Sequence, residues 1–171
     1  MHRADASARR RTAAHAAARQ NAGMATAAAQ ERCVFCEIVA GRLPASFVYT
    51  GDDVVAFLDI RPLTRGHLLV IPRQHADRLA ALDPELGARV FTVAQQLAVR
   101  LRQSGFCAGT NLFLADGVLA GQEVFHVHLH VIPRTQRDGF GLRAKRRGQP
   151  GRDELDATAG LIRAAAGHRP R

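Results

Sequence analysis

His126-Val127-His128-Leu129-His130-Val131-Ile132 is the stretch on which the reading of this chain turns. Polar and apolar residues alternate along it, and a strand sends successive side chains to opposite faces. The alternation predicts a strand over 124–132, closed by Pro133. His126, His128 and His130 share one face, and Val127, Leu129 and Val131 turn into a core. A single buried histidine is usually a packing residue. Three on one face are costly for packing alone, because each ring has two nitrogens that need partners away from water. Two chemistries justify that cost. Alternating imidazoles can ligate zinc, or one imidazole can act as a nucleophile supported by its neighbours.

The residues just upstream favour the nucleophile. Ala120-Gly121-Gln122-Glu123-Val124 is a loop in which a small residue and a glycine let backbone N–H groups approach an anion. Gln122 adds a side-chain donor for a phosphoryl oxygen. An anion cradle running into histidines suggests attack on phosphorus. An imidazole with an ordinary pKa of about 6.5 is a competent neutral nucleophile near pH 7.

Working outward, Cys33 to Ala40 reads as a short helix stopped by Gly41. Phe47–Tyr49, Val54–Ile60 and His67–Ile71 read as strands, the last ended by Pro72, and Asn111–Ala115 as another. Asp83-Pro84-Glu85 is a helix start: an N-cap, a proline at the first position and an acid in the first turn. Leu86, Val90, Val93, Leu97 and Leu101 then fall on one helical face, and Gly105 ends it. A further helix is expected over 153–166. Strands in succession with one long helix give α+β with an antiparallel sheet.

The 171 residues give room for one domain with tails. The net charge of +9 invites a nucleic-acid reading, but its placement argues against a specific one. Residues 33–136 hold nine arginines and nine acids. Residues 1–32 hold six arginines against Asp5 and Glu31, and residues 137–171 hold nine Lys/Arg against four acids. The centre is neutral and the tails are basic, which fits solvated ends with non-specific polyanion contact at most. Residues 1–31 carry no large apolar anchor and are expected to be a disordered Ala/Arg-rich extension, with Met24 a second candidate start of translation. Residues 143–171 are expected to be a basic tail with a short helix. No run of 18 apolar residues exists to span a membrane, and no h-region marks a secretory signal. Three cysteines make no disulfide framework, so a cytoplasmic location is expected.

His-x-His-x-His followed by two apolar residues resembles the signature of the histidine-triad (HIT) family. The resemblance extends over 32–142. It takes in Phe57-Leu58-Asp59-Ile60, Gly66-His67-Leu68-Leu69-Val70-Ile71-Pro72 with His75, and Ala120-Gly121-Gln122 before the triad. It implies a HIT-like fold, a five-stranded antiparallel sheet with one long and one short helix, paired as a homodimer. It implies an enzyme that cleaves at the α-phosphate of purine nucleoside phosphates or phosphoramidates. His128 would be the nucleophile that carries the nucleotide as a phosphoramidate, which water then hydrolyses. His130 would stabilise the phosphoryl oxygens with the N–H groups of Glu123 and Val124. His67 would serve proton transfer near the leaving group. Asp59 would accept from the ribose hydroxyls, and Val34, Phe35, Ile38, Phe57 and Ile60 would form an apolar wall around the base. Gly121, Gln122, Glu123 and Val124 complete the nucleotide-binding set. Two positions depart from the family: Ala115 stands where relatives often carry a polar residue, and Glu123 where some carry a small hydroxyl. The Glu123 carboxylate is expected to turn outward and contribute only its N–H.

Cys33-Val34-Phe35-Cys36 lacks the βαβ context of a redox pair. By resemblance to bacterial relatives, Cys33 and Cys36 join His75 and His126 as a structural Cys₂His₂ zinc site. Without metal, the pair is two buried thiols. Three rivals stand beside the hydrolase reading: a dinucleoside polyphosphate hydrolase or phosphorylase, a metallohydrolase with zinc on the triad, and a non-catalytic nucleotide-binding interaction module.

Overall fold

A computed structural model describes residues 33–141 and 148–165. The expected N-terminal extension, Met24 included, lies outside the described residues. By its contacts the chain divides into Met1–Asp138 and Gly139–Arg171.

The first unit is built on five antiparallel strands: β1 (Phe47–Thr50), β2 (Val54–Leu58), β3 (Leu68–Pro72), β4 (Gly109–Phe113) and β5 (Leu129–Arg134). Their order across the sheet is β1-β2-β3-β5-β4. The short helix α1 (Val34–Val39) precedes them, and the long helix α2 (Pro84–Gln103) falls between β3 and β4. The fold is α+β, as the sequence implies.

Strand alternation splits the sheet into two dissimilar faces. Val54, Ala56, Leu68, Val70, Leu129 and Val131 point to α2, which answers with Leu86, Val90, Val93, Ala94 and Leu97. Each of the valine and leucine side chains, once buried, contributes about 1.5–3 kcal/mol. Asp83 starts α2 as expected, its Oδ1 accepting from the N–H groups of Glu85 and Leu86 at 3.0 Å. Val55, Phe57, Leu69 and Ile71 point the opposite way, where Cys33 and Phe35 of the α1 segment cover them. His130 pairs with Leu69 on one side and Phe113 on the other, so it shares this second face.

The histidine strand is shifted from its expected span. It begins at Leu129, so His126 and His128 lie in the segment leading into it. The ladder with β3 runs only from Val70↔Leu129 to Leu68↔Val131. Pro72 has no N–H to continue it, and its carbonyl accepts from the His126 ring. The Val127 N–H turns instead to the Ala76 carbonyl. At the other end Pro133 does not close the strand. The β3 side is open by that point, so a residue without a donor costs no ladder bond, and β4 pairs as far as Gly109↔Arg134. That longer pairing is why β4 starts and ends two residues earlier than expected, leaving Ala115 outside it. Pro72 likewise closes β3 from within, paired with Val54.

In the second unit, α3 (Arg152–Ala165) forms where a helix is expected, with Asp153 and Glu154 in its first turn and no buried residue.

Candidate functional site

The hydrogen bonds of the four central imidazoles define what each ring nitrogen can do. A carbonyl oxygen only accepts, so a ring nitrogen facing one must carry its proton. Nδ1 of His128 donates to the carbonyl of His126 at 2.7 Å. Its proton is therefore on Nδ1, and the lone pair is on Nε2. Nε2 of His126 donates to the carbonyl of Pro72 at 2.9 Å, which leaves the Nδ1 lone pair facing the cysteines.

His67 follows the same logic from the other side. The Leu63 N–H donates to its Nδ1 at 3.2 Å, so Nε2 carries the proton and donates to Nδ1 of His130 at 2.9 Å. His130 is thus left with an N–H at Nε2. Burial, and after it the charges of His128 and His67, push His130 down to about 4. His67 is also lowered, chiefly by burial, which outweighs the opposing pull of the Asp59 carboxylate 3.6 Å away. At neutral pH both rings are uncharged.

Phe35 holds the rings in place. Its ring meets His128 edge-on at 5.3 Å and His126 at 5.9 Å, and it packs on Phe57 at 5.7 Å. Phe113, on the strand beyond, tilts against His130 at 5.7 Å. Of the expected base wall, Phe35, Phe57 and Ile38 form one apolar cluster, which Val124 joins, and Val34 stands exposed at its rim. Ile60 does not join them. It is 91 % exposed, because the chain leaves the sheet after Leu58 and turns at Asp59, whose Oδ1 accepts from the Arg61 N–H at 2.8 Å.

The loop before the histidines differs in detail from its expected working. The Gln122 side chain is not aimed at an anion. Its amide donates to the carbonyls of Asp77 and Val124, and its oxygen accepts from the Gly117 N–H at 2.7 Å. Both amide hydrogens are spent on holding the loop. The N–H groups of Gly121 and Gln122 close the turn onto Val118 and Gly117. Gly121 serves as its left-handed corner at φ +90°, where a side chain would be strained. The N–H groups of Glu123 and Val124 take no part in this internal bonding. The Glu123 carboxylate faces outward and accepts from Arg61 at 2.9 Å. Arg61 was not legible as part of the site, because nothing near it in the chain points across to residue 123.

A second cluster adjoins the first. Cys33, Cys36, His75 and His126 bring one ligand atom each within 4.8 Å of one another. Nδ1 of His126 lies 3.5 Å from Sγ of Cys33 and 3.6 Å from Sγ of Cys36, and Nδ1 of His75 lies 3.3 Å from Sγ of Cys36. Tetrahedral zinc with bonds of about 2.3 Å to sulfur and 2.0–2.1 Å to nitrogen sets neighbouring S and N about 3.5 Å apart. Burial, and then the Cys33 sulfur, push the Cys36 thiol up to about 12, so a cation is what would release its proton. The donor set, its spacing and the His126 lone pair all fit a closed metal site. A shallow concavity of about 440 Å³ lies at this end, lined by Cys33, Val34, His75, Asp77, Glu123, Val124 and Phe125.

The HIT domain family model matches residues 40–137. An uncharacterised HIT-like protein of Borreliella burgdorferi is 47% identical over 113 residues, 65% of this chain and 81% of that one. A HIT family protein of Bacillus anthracis superposes with a TM-score of 0.74 at 38% identity, covering 78% of this chain and 96% of the other. A zinc-bound histidine triad family protein of Mycobacterium smegmatis gives 0.63 at 39% identity, covering 80% and 99%.

Proposed function

The chain belongs to the histidine-triad family, and from that premise we propose that it is a nucleotide hydrolase working through a nucleotidyl-histidine intermediate. One observation carries the reading: the 2.7 Å bond from Nδ1 of His128 to the His126 carbonyl leaves Nε2 as a lone pair with fixed direction. Nε2 attacks the α-phosphorus of a purine nucleoside phosphate or phosphoramidate. A P–N bond forms as the bond to the leaving group breaks, and water then cleaves the P–N bond. The N–H groups of Glu123 and Val124 and the Nε2–H of His130 are the donors for the phosphoryl oxygens as charge builds on them. His67 holds the His130 tautomer through its own Nε2–H and, through that bond, serves proton transfer to the leaving group. Asp59 accepts from the ribose diol. Phe35, Ile38, Phe57, Val124 and Val34 receive the base.

Cys33, Cys36, His75 and His126 hold zinc in this reading. The metal supplies a structural cross-link and draws His126 out of the chemistry. A second copy of the chain covers the β4 edge, where Leu112 and Phe113 are exposed, and the outward side of α2 at Phe91 and Val99. No helix among the described residues is long and apolar enough to cross a membrane, and a cytoplasmic setting suits free thiols.

The test is a substrate quench followed by peptide mass spectrometry. The peptide containing His128 is expected to gain one nucleoside monophosphate, and His128→Asn to lose both that adduct and turnover. Unchanged turnover by His128→Asn would remove the nucleophile from the scheme.

A further inference from the structure

Arg61 is the arginine whose ion-pair partner belongs to the phosphate loop. Its guanidinium donates to Glu123 at 2.9 Å, with both side chains largely in solvent, 81 % and 76 % exposed. Its backbone is fixed beside Asp59, whose Oδ1 accepts from its N–H. Asp59 faces His67, and His67 bonds His130. Arg61 therefore spans from the ribose side of the site to the loop whose N–H groups receive the phosphate. Arg42, Arg65, Arg73 and Arg89 are engaged elsewhere, with Glu37, over Phe106, on the Gly51 carbonyl and with Asp53, and Arg78 lies beside Asp77.

An exposed ion pair of this kind is weak and exchanges partners readily. The α-phosphate is met by N–H groups and an imidazole N–H that carry no formal charge. A leaving group that is itself a phosphate chain departs with a further negative charge, because its bridging oxygen keeps the electron pair of the broken P–O bond. A guanidinium parked beside the loop can leave the Glu123 carboxylate for that oxygen or its neighbours, and guanidinium is the side chain best shaped for phosphate. Glu123 then acts as a competitor that holds Arg61 when the leaving group is neutral.

We propose that Arg61 is a specificity residue that favours phosphate-chain leaving groups over neutral ones, with Glu123 as its resting partner. The inference rests on the hydrolase reading above and adds to it the class of leaving group. The experiment compares kcat/KM for diadenosine tetraphosphate, which expels a nucleotide polyphosphate, and for adenosine 5′-phosphoramidate, which expels ammonia. For full-length protein, Arg61→Gln is expected to lower the ratio of the first to the second by about tenfold, the scale of a lost charge-assisted contact. Arg61→Lys is expected to recover part of the ratio, since it keeps the charge but not the fork. Glu123→Gln is expected to raise the ratio. The tetraphosphate rate is expected to fall with added salt in the parent and to be less salt-sensitive in Arg61→Gln. Equal losses on both substrates would reduce Arg61 to a support for Asp59 and overturn the inference, as would an unchanged ratio. Turnover of the phosphoramidate with none of the tetraphosphate by the parent protein overturns the inference and leaves the hydrolase reading standing. Turnover of neither overturns both.

Discussion

Four imidazoles within one site have four different hydrogen-bonding assignments, and each is imposed by a backbone group or by the neighbouring ring. His126 gives its proton to Pro72, His128 to the His126 carbonyl, and His67 takes one from Leu63 and passes its own to His130. The residue types and their alternation were legible in the sequence. The tautomers were not, because they depend on how the folded backbone turns and, for His126 and His130, on partners more than fifty positions away, Pro72 and His67. Burial of His130 has a consequence for stability. An unfolded chain protonates it below about 6.5, and the folded protein only near about 4. Between those values the unfolded state holds more protons, so stability is full above about 6.5 and declines as pH falls toward 4. Thermal unfolding followed from pH 7 to 4.5 is expected to show that decline, and His130→Asn to flatten part of it. Parallel curves for the two proteins would assign the acid sensitivity elsewhere.

At the scale of elements, what was legible followed from local rules and what was missed depended on partners. The long helix is one case of the first, since a capping aspartate, a proline and an apolar face lie within a single segment. Its cap gives a direct check: Asp83→Ala is expected to cost about 1 kcal/mol in urea unfolding with the turnover of the folded protein unaffected. The histidine strand and the loop before it are cases of the second. Strand limits at Leu129 and Arg134 are set by where β3 runs out and β4 begins, which no window around residue 128 contains. Gln122 illustrates the same limit in a side chain. Its chemistry suits a phosphate, yet the fold brings the Asp77 carbonyl and the Gly117 N–H to it first. Gln122→Ala would remove the three hydrogen bonds by which this side chain ties Gly117, Asp77 and Val124 together, each worth about 0.5–1.5 kcal/mol. The variant is expected to unfold several degrees earlier and to lose turnover mainly through kcat, because the loop carrying the Glu123 and Val124 N–H groups slackens. A variant that keeps its melting temperature and loses only substrate affinity would restore Gln122 as a direct phosphate ligand.

Across the whole molecule, the Cys₂His₂ cluster has a position that separates holding the fold from doing the chemistry. Its side chains come from three places: Cys33 and Cys36 from the N-cap and first turns of α1, His75 from the segment after β3, and His126 from the segment entering β5. The span matched by the family model begins at residue 40, after both cysteines, so the pair lies at the margin of the part the family shares. A metal there ties α1, with Phe35 on its inner face, to the chain that presents His128. His128 itself is not a ligand, and its Nε2 is free of the cluster. Zinc bound to the native state alone stabilises it by mass action. Stripping it with a strong chelator is therefore expected to lower the melting temperature, and returning zinc to restore it. The metal-free protein, kept well below its new melting point, is still expected to form the nucleotidyl adduct on His128 in a single turnover. Loss of the adduct while the far-UV and near-UV dichroism remain native would mean that the metal acts on phosphorus, and the assignment of His126 to structure rather than catalysis would fall with it.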